Sequence, residues 1–101
     1  MILAIDTSAG QCAVATADDP VVLAEAREAM ERGHAERLFP MIEAALALYP
    51  LPLTLIAVCT GPGSFTGLRI GVAAARGLAL GHGIPAVGVT RFAADRVQIL
   101  V

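Results

Sequence analysis

The chain reads as an α/β domain, a mixed five-stranded sheet flanked by helices in the order βββαβαβ, and three features of the sequence predict it. Two early connections are too short to carry a crossover, so the first three strands form an antiparallel meander. The apolar period changes to that of a helix after Gly33. A continuous apolar stretch, Leu53 to Cys59, then leads through a glycine-rich turn into a second helix.

Taken in order, Ile2 to Ile5 is a short apolar strand stopped by Asp6-Thr7-Ser8-Ala9-Gly10, residues that favour tight turns. Cys12 to Ala17 is the second strand, Asp18-Asp19-Pro20 the next turn, and Val21 to Ala29 the third strand. Beyond Gly33, Leu38, Met41, Ile42, Ala45 and Tyr49 fall on one helical face, with Ala35, Phe39 and Leu46 as a second apolar stripe beside it. Pro40 is expected in the first turn, where its missing N–H costs nothing, and Pro50 and Pro52 end the helix. Leu53 to Cys59 has the unbroken apolarity of a strand covered on both faces. Ser64 is placed to cap a helix running to about Leu80, in which Gly63, Gly67, Gly71, Ala75 and Ala79 stand four apart. Such a small-residue stripe lets another backbone approach closely. Gly81 and Gly83 stop the helix, Ala86 to Val89 is the fifth strand, and Phe92 to Asp95 could open a further helix. The two parallel connections are expected to be right-handed.

With 101 residues the chain is one small domain. Its 56% hydrophobic and 16% charged composition excludes disorder. The hydrophobic share also exceeds the roughly 45 to 50%, glycine included, of an average soluble domain. Apolar surface is therefore left over for a partner. No apolar run approaches the ~20 residues of a bilayer crossing. Asp6 breaks the apolar start and no basic segment precedes it, so a cytoplasmic location is expected. Residues 1 to 50 hold eight acids and three arginines, and residues 51 to 101 one acid and four arginines. Opposite-sign halves suit a protein partner. With no lysine and one tyrosine, no strong direct binding to nucleic acid is expected. Cys12 and Cys59 lack metal-ligand spacing and read as reduced thiols in apolar surroundings.

The segment Gly61 to Gly71 sits where phosphate loops sit, between a strand and a helix. It lacks the lysine of a Walker A motif, carries Gly67 where a dinucleotide fingerprint needs glycine at 66, and has Pro62 where a nucleophile elbow needs glycine. Close helix packing with a cap is the expectation. His34 and His82 have no metal spacing around them. Asp6, beside Thr7 and Ser8 at the end of the first strand, admits two readings: a carboxylate that holds a metal-bound water, or an Asx-turn that caps the hairpin.

Three stretches together, Ile2-Leu3-Ala4-Ile5-Asp6-Thr7-Ser8, Arg32-Gly33-His34-Ala35-Glu36-Arg37-Leu38 and Gly61-Pro62-Gly63-Ser64-Phe65-Thr66-Gly67-Leu68-Arg69-Ile70-Gly71, resemble the bacterial tRNA threonylcarbamoyladenosine biosynthesis family TsaB, formerly grouped with glycoproteases. The resemblance spans residues 1 to about 92 and implies an actin-like, RNase H-like lobe of the ASKHA type. It further implies a non-catalytic partner of the TsaD transferase, with the TsaE ATPase in the same machinery. Where the catalytic relatives carry a metal-binding His-His-Met-Glu-Gly-His stretch, this chain reads Thr90-Arg91-Phe92-Ala93-Ala94-Asp95, so neither a metal site nor a cofactor is expected. Family members are about twice as long, and the chain is expected to correspond to a single N-terminal lobe. A vestigial nucleotide site at Asp6, Thr7 and Ser8 would then be half built.

Two functions follow as expectations. The first is a scaffold that binds the TsaD-type transferase through its two helices, by His34, Arg37, Leu38, Met41 and Ile42 on one and Leu68, Arg69, Val72, Ala73 and Arg76 on the other. Alone, such a chain is expected to form a homodimer through the same stripes. The second is an enzyme, an actin-like ATPase or metal-dependent transferase that uses Asp6.

Overall fold

The computed structural model describes residues 1–8, 10–18, 20–90 and 97–99, the last three by their backbone. The five expected strands are present in the expected order. They are β1 (Ile2–Asp6), β2 (Gln11–Asp18), β3 (Val21–Ala29), β4 (Leu55–Cys59) and β5 (Ala86–Val89), with α1 (His34–Ala47) and α2 (Phe65–His82) between them. A short sixth strand, β6 (Val97–Ile99), pairs antiparallel with β5. Three residues are too few to show a period, which is why the sequence did not announce it. The helix considered at Phe92 to Asp95 lies outside the described residues.

The strands form one sheet in the order β3-β2-β1-β4-β5-β6. β2 runs antiparallel to β1 and β3, whereas β4 is parallel to both β1 and β5. The first five strands thus have the topology of an actin-like, RNase H-like (ASKHA) lobe. Short turns force the meander, and the long connections through α1 and α2 permit the parallel pairs.

Both helices lie on one face. Leu3 and Ile5 of β1, Cys12, Val14 and Thr16 of β2, and Ile56 and Val58 of β4 point to that face and are buried. Leu38, Met41, Ile42 and Ala45 of α1 and Ala74, Ala75 and Ala79 of α2 close over them. The alternation in β4 departs from the expectation of a strand covered twice: Leu55, Ala57 and Cys59 are only half-buried. Its apolar outer residues line a sheet face that no helix of the described residues covers.

Two local expectations are corrected. Pro40 falls inside α1, because the helix starts at His34. The proline removes a bond to the Glu36 carbonyl, and both residues are exposed, where solvent can take the carbonyl. Tyr49 lies past the end of the helix and is exposed. At the far end of α2, Gly83 adopts φ 66°, and its N–H reaches back to the last turn, a left-handed cap that favours glycine.

Candidate functional site

The parallel strands β1 and β4 end at the same edge of the sheet, beside the start of α2. Ligands of α/β sheets bind at such strand ends. Here the polar groups are largely turned on one another. Asp6 Oδ1 accepts from the Ser8 N–H at 2.8 Å and from the Ser8 hydroxyl, and Asp6 Oδ2 accepts from Gln11 Nε2 at 3.0 Å. That arrangement is the Asx-turn of the two readings. Gln11, the first residue of β2, was not singled out from the sequence, since a lone glutamine after a turn carries no pattern.

Thr7 and Ser8 are buried. The Thr7 hydroxyl donates to the Gly67 carbonyl at 2.5 Å, and Ser8 Oγ lies 3.5 Å from Cys59 Sγ. A Cβ on Gly67 would stand 2.5 Å from the Thr7 carbonyl oxygen, and one on Gly71 would stand 2.5 Å from Thr7 Oγ1. The glycines therefore let the first turns of α2 rest directly on the end of β1. Ser64 caps the helix as expected, its hydroxyl accepting from the Gly67 N–H at 3.1 Å. The Gly61–Pro62 bond is cis. The glycine-rich segment is a packing device and a cap.

On the open sheet face a shallow concavity of about 390 Å³ runs from Asp6 and Gln11 over Ala4, Ala13 and Ala57. Among the described residues, no three His, Cys, Asp or Glu side chains gather as a metal cluster would require. Burial pushes the Cys12 thiol above its usual range, with the Glu28 charge adding to the shift and Arg37 opposing it.

The helical face divides the residues expected at an interface. His34, Leu38, Met41 and Ile42 are buried within the chain. The stripe that looked available is the one that covers β2, and the second stripe is the one left outside. Phe39 of that stripe is 46% exposed. Arg37 is exposed but bound, since its guanidinium donates to both carboxylate oxygens of Glu28. Glu28 is half-buried and shares a sheet face with α1. Their hydrogen bonds hold the Glu28 carboxyl below the usual carboxylate range and raise Arg37. On α2, Leu68 and Val72 are half-buried, whereas Arg69, Ala73 and Arg76 are exposed. Arg69 lies over the ring of Phe65 at 5.3 Å, and Phe65 itself is 74% exposed. Between the helices lies a depression of about 280 Å³ lined by Ala35, Leu38, Phe39, Ile70, Ala73 and Ala74. Phe39, which lines the depression, and the exposed Phe65 were not among the residues expected at the interface. The signal was present in the second apolar stripe, which has no strand to cover it.

The chain matches the family model described as "TsaD: tRNA N6-adenosine threonylcarbamoyltransferase" over residues 22–96. It is 45% identical over 92 residues to the tRNA threonylcarbamoyladenosine biosynthesis protein TsaB of Escherichia coli (strain K12), covering 88% of this chain and 39% of that protein. With the protein of the same name from Bacillus subtilis (strain 168) it shares 38% identity over 92 residues, 88% of this chain and 40% of the relative. The solved structure of YeaZ from Pseudomonas aeruginosa superposes with a TM-score of 0.81 at 36% identity, covering 88% of this chain and 43% of that one. The chain thus spans about two fifths of the length of the curated relatives it matches. Agreement of the family model, the curated relatives and the fold leads to one conclusion: the chain belongs to the TsaB family, within the group that the threonylcarbamoyltransferase model describes.

Proposed function

We propose that this chain is a non-catalytic scaffold in tRNA threonylcarbamoyladenosine modification, a single N-terminal ASKHA-type lobe that docks a TsaD-type transferase, in machinery that also includes a TsaE-type ATPase. The observation that carries this reading is the apolar ridge on the helical face. Phe39 and Ala73 stand exposed around the depression between α1 and α2, and α2 also carries the exposed arginines Arg69 and Arg76. A partner helix laid in that groove would bury the ridge, and the arginines would set its register and speed its encounter. The surface differs from the one read from sequence by the loss of His34, Leu38, Met41 and Ile42 and the gain of Phe39 and Phe65. Chemistry of this kind belongs in the cytoplasm, and among the described residues no helix is long and apolar enough to cross a membrane.

The alternative, an ATPase or metal-dependent transferase that uses Asp6, has less support. Both Asp6 oxygens already accept hydrogen bonds from Ser8 and Gln11, and the Thr7 hydroxyl is committed to Gly67. Titration calorimetry of the purified chain with a TsaD-type transferase tests the proposal, with ATP turnover measured alongside. Saturable binding without turnover supports the scaffold. ATP hydrolysis that is lost in Asp6→Ala, with no binding to the transferase, overturns it.

A further inference from the structure

We infer that the free edge of β3 and the groove beneath the outer flank of α1 form a docking site for an extended peptide of another protein, added antiparallel to β3 with acidic, apolar, basic and apolar residues in that order. β3 ends the sheet and, among the described residues, pairs only with β2, so its outer backbone groups form an edge of the kind that templates another strand. Only an extended backbone can match such a row of donors and acceptors, which selects a strand over a helix. Above the edge, Pro40, Ala44 and Leu48 stand four apart on α1 and are exposed, Leu48 by 65%. With Ala24 and Ala26 of β3 they line an apolar groove of about 200 Å³, which has the Glu28–Arg37 pair at one end. The groove shares no α1 residue with the depression beside α2, so a peptide held there leaves the surface proposed for the transferase free.

The alternation and the charges of β3 fix the sequence that fits. Ala24, Ala26 and Glu28, paired with Thr16, Val14 and Cys12 of β2, turn to the helical face, whereas Glu25 and Arg27 lie on the open face as an exposed ion pair at 3.7 Å. An exposed pair of this kind costs little to open. Antiparallel pairing sets residues directly opposite one another and on the same face. The peptide residue opposite Arg27 is then an acid, and the one opposite Glu25 a base. The residues opposite Ala26 and Ala24 enter the groove and are apolar. A second copy of this chain fits less well. The register that sets its Arg27 against Glu25 brings its Glu28 opposite Ala24, which is 8% exposed, and so sends a carboxylate into the apolar part of the groove.

Fluorescence anisotropy of the full chain with a labelled peptide that carries Asp-Leu-Lys-Val between flanking serines tests the inference, with amide hydrogen exchange to locate the peptide and circular dichroism as the check on folding. Saturable binding is expected, with slower exchange in β3. The peptide with its charges exchanged, Lys-Leu-Asp-Val, is expected to bind the parent chain about tenfold more weakly, because like charges are then directly opposed. In the double variant Glu25→Arg with Arg27→Glu the preference of the two peptides reverses. Leu48→Glu, on the exposed flank of α1, is expected to keep the fold and weaken binding of the first peptide. Absence of saturable binding overturns the inference, as does equal binding of the two peptides to the parent chain or binding that a folded Leu48→Glu variant leaves unchanged. Protection of the β3 amides that rises with chain concentration in the absence of peptide overturns it in favour of a second copy.

Discussion

The Thr7 hydroxyl donates to the Gly67 carbonyl oxygen at 2.5 Å, and at that same contact a Cβ on Gly67 would come within 2.5 Å of the Thr7 backbone oxygen. A hydrogen bond and a steric limit thus join the end of β1 to the first turn of α2. Gly67→Ala is expected to destabilise the fold by about 1 to 3 kcal/mol, because backbone must shift, although alanine is the better helix former. Gly77→Ala is the control. It lies in the same helix with nothing within 4 Å of its Cβ direction, and should stabilise by about 0.5 to 1 kcal/mol. Urea denaturation of both variants checks the opposite signs.

Asp6 holds its turn by accepting from Ser8 and Gln11. Asp6→Ala leaves the part-buried Ser8 N–H without its acceptor and is expected to cost about 1 to 3 kcal/mol. Asp6→Asn retains one acceptor and should cost less. If thermal unfolding finds Asp6→Ala as stable as the parent, the turn is not held by this carboxylate.

The Glu28–Arg37 pair sets a pH dependence whose sign is fixed. A carboxyl held below its usual range contributes stability that is present above its unfolded pKa and is lost as pH falls through the lower folded value. Glu28→Gln should therefore be slightly less stable than the parent at neutral pH and equal to it once the parent carboxyl is protonated. Because the pair is exposed, the difference should shrink in high salt. Urea midpoints at pH 7 and at about pH 2, at two ionic strengths, read it directly.

Met41 and Phe39 stand two residues apart on α1 and separate folding from docking. Met41 is 4% exposed, so Met41→Glu buries a charge and is expected to unfold the chain, not to cut away a partner. Phe39→Glu should keep the helical circular dichroism signal and lose binding to a TsaD-type transferase. Arg76→Ala, which removes an exposed charge on α2, should weaken that binding by less than about 1 kcal/mol. A Phe39→Glu variant that binds normally would move the docking surface elsewhere.

The legible parts of this fold were those with local causes. Asp18-Asp19-Pro20 and the Asp6 to Gly10 segment fixed the meander through turn length alone, and the glycine spacing of α2 foretold its close approach. What the sequence concealed was direction. Both stripes of α1 are apolar, and only the position of β2 decides that Leu38, Met41 and Ile42 go inside while Phe39 stays out. His34 belongs to the same ambiguity: it reads as a surface residue at a helix start, yet it is 5% exposed, and its Nε2 has no hydrogen-bond partner among the described residues. Glu28 lies one residue from the exposed Arg27, and strand alternation turns it to the other face, towards Arg37.

β1 comes first in the chain and lies in the middle of the sheet, and this gives its two edges different histories during synthesis. The β2 side can zip as soon as the next strand follows. The β4 side must wait for a segment more than fifty residues downstream, where the chain's amino terminus finally donates to the Pro52 carbonyl, 51 residues away, at 2.9 Å. At ribosomal speeds of roughly 5 to 20 residues per second, that interval lasts seconds. For that time the nascent meander offers two unpaired margins, the inner one of β1 and the outer one of β3. Only the arrival of β4, followed by the docking of Gly67 on Thr7, closes the first, so the glycine contact marks the end of the interval in which this chain is most open to mispairing.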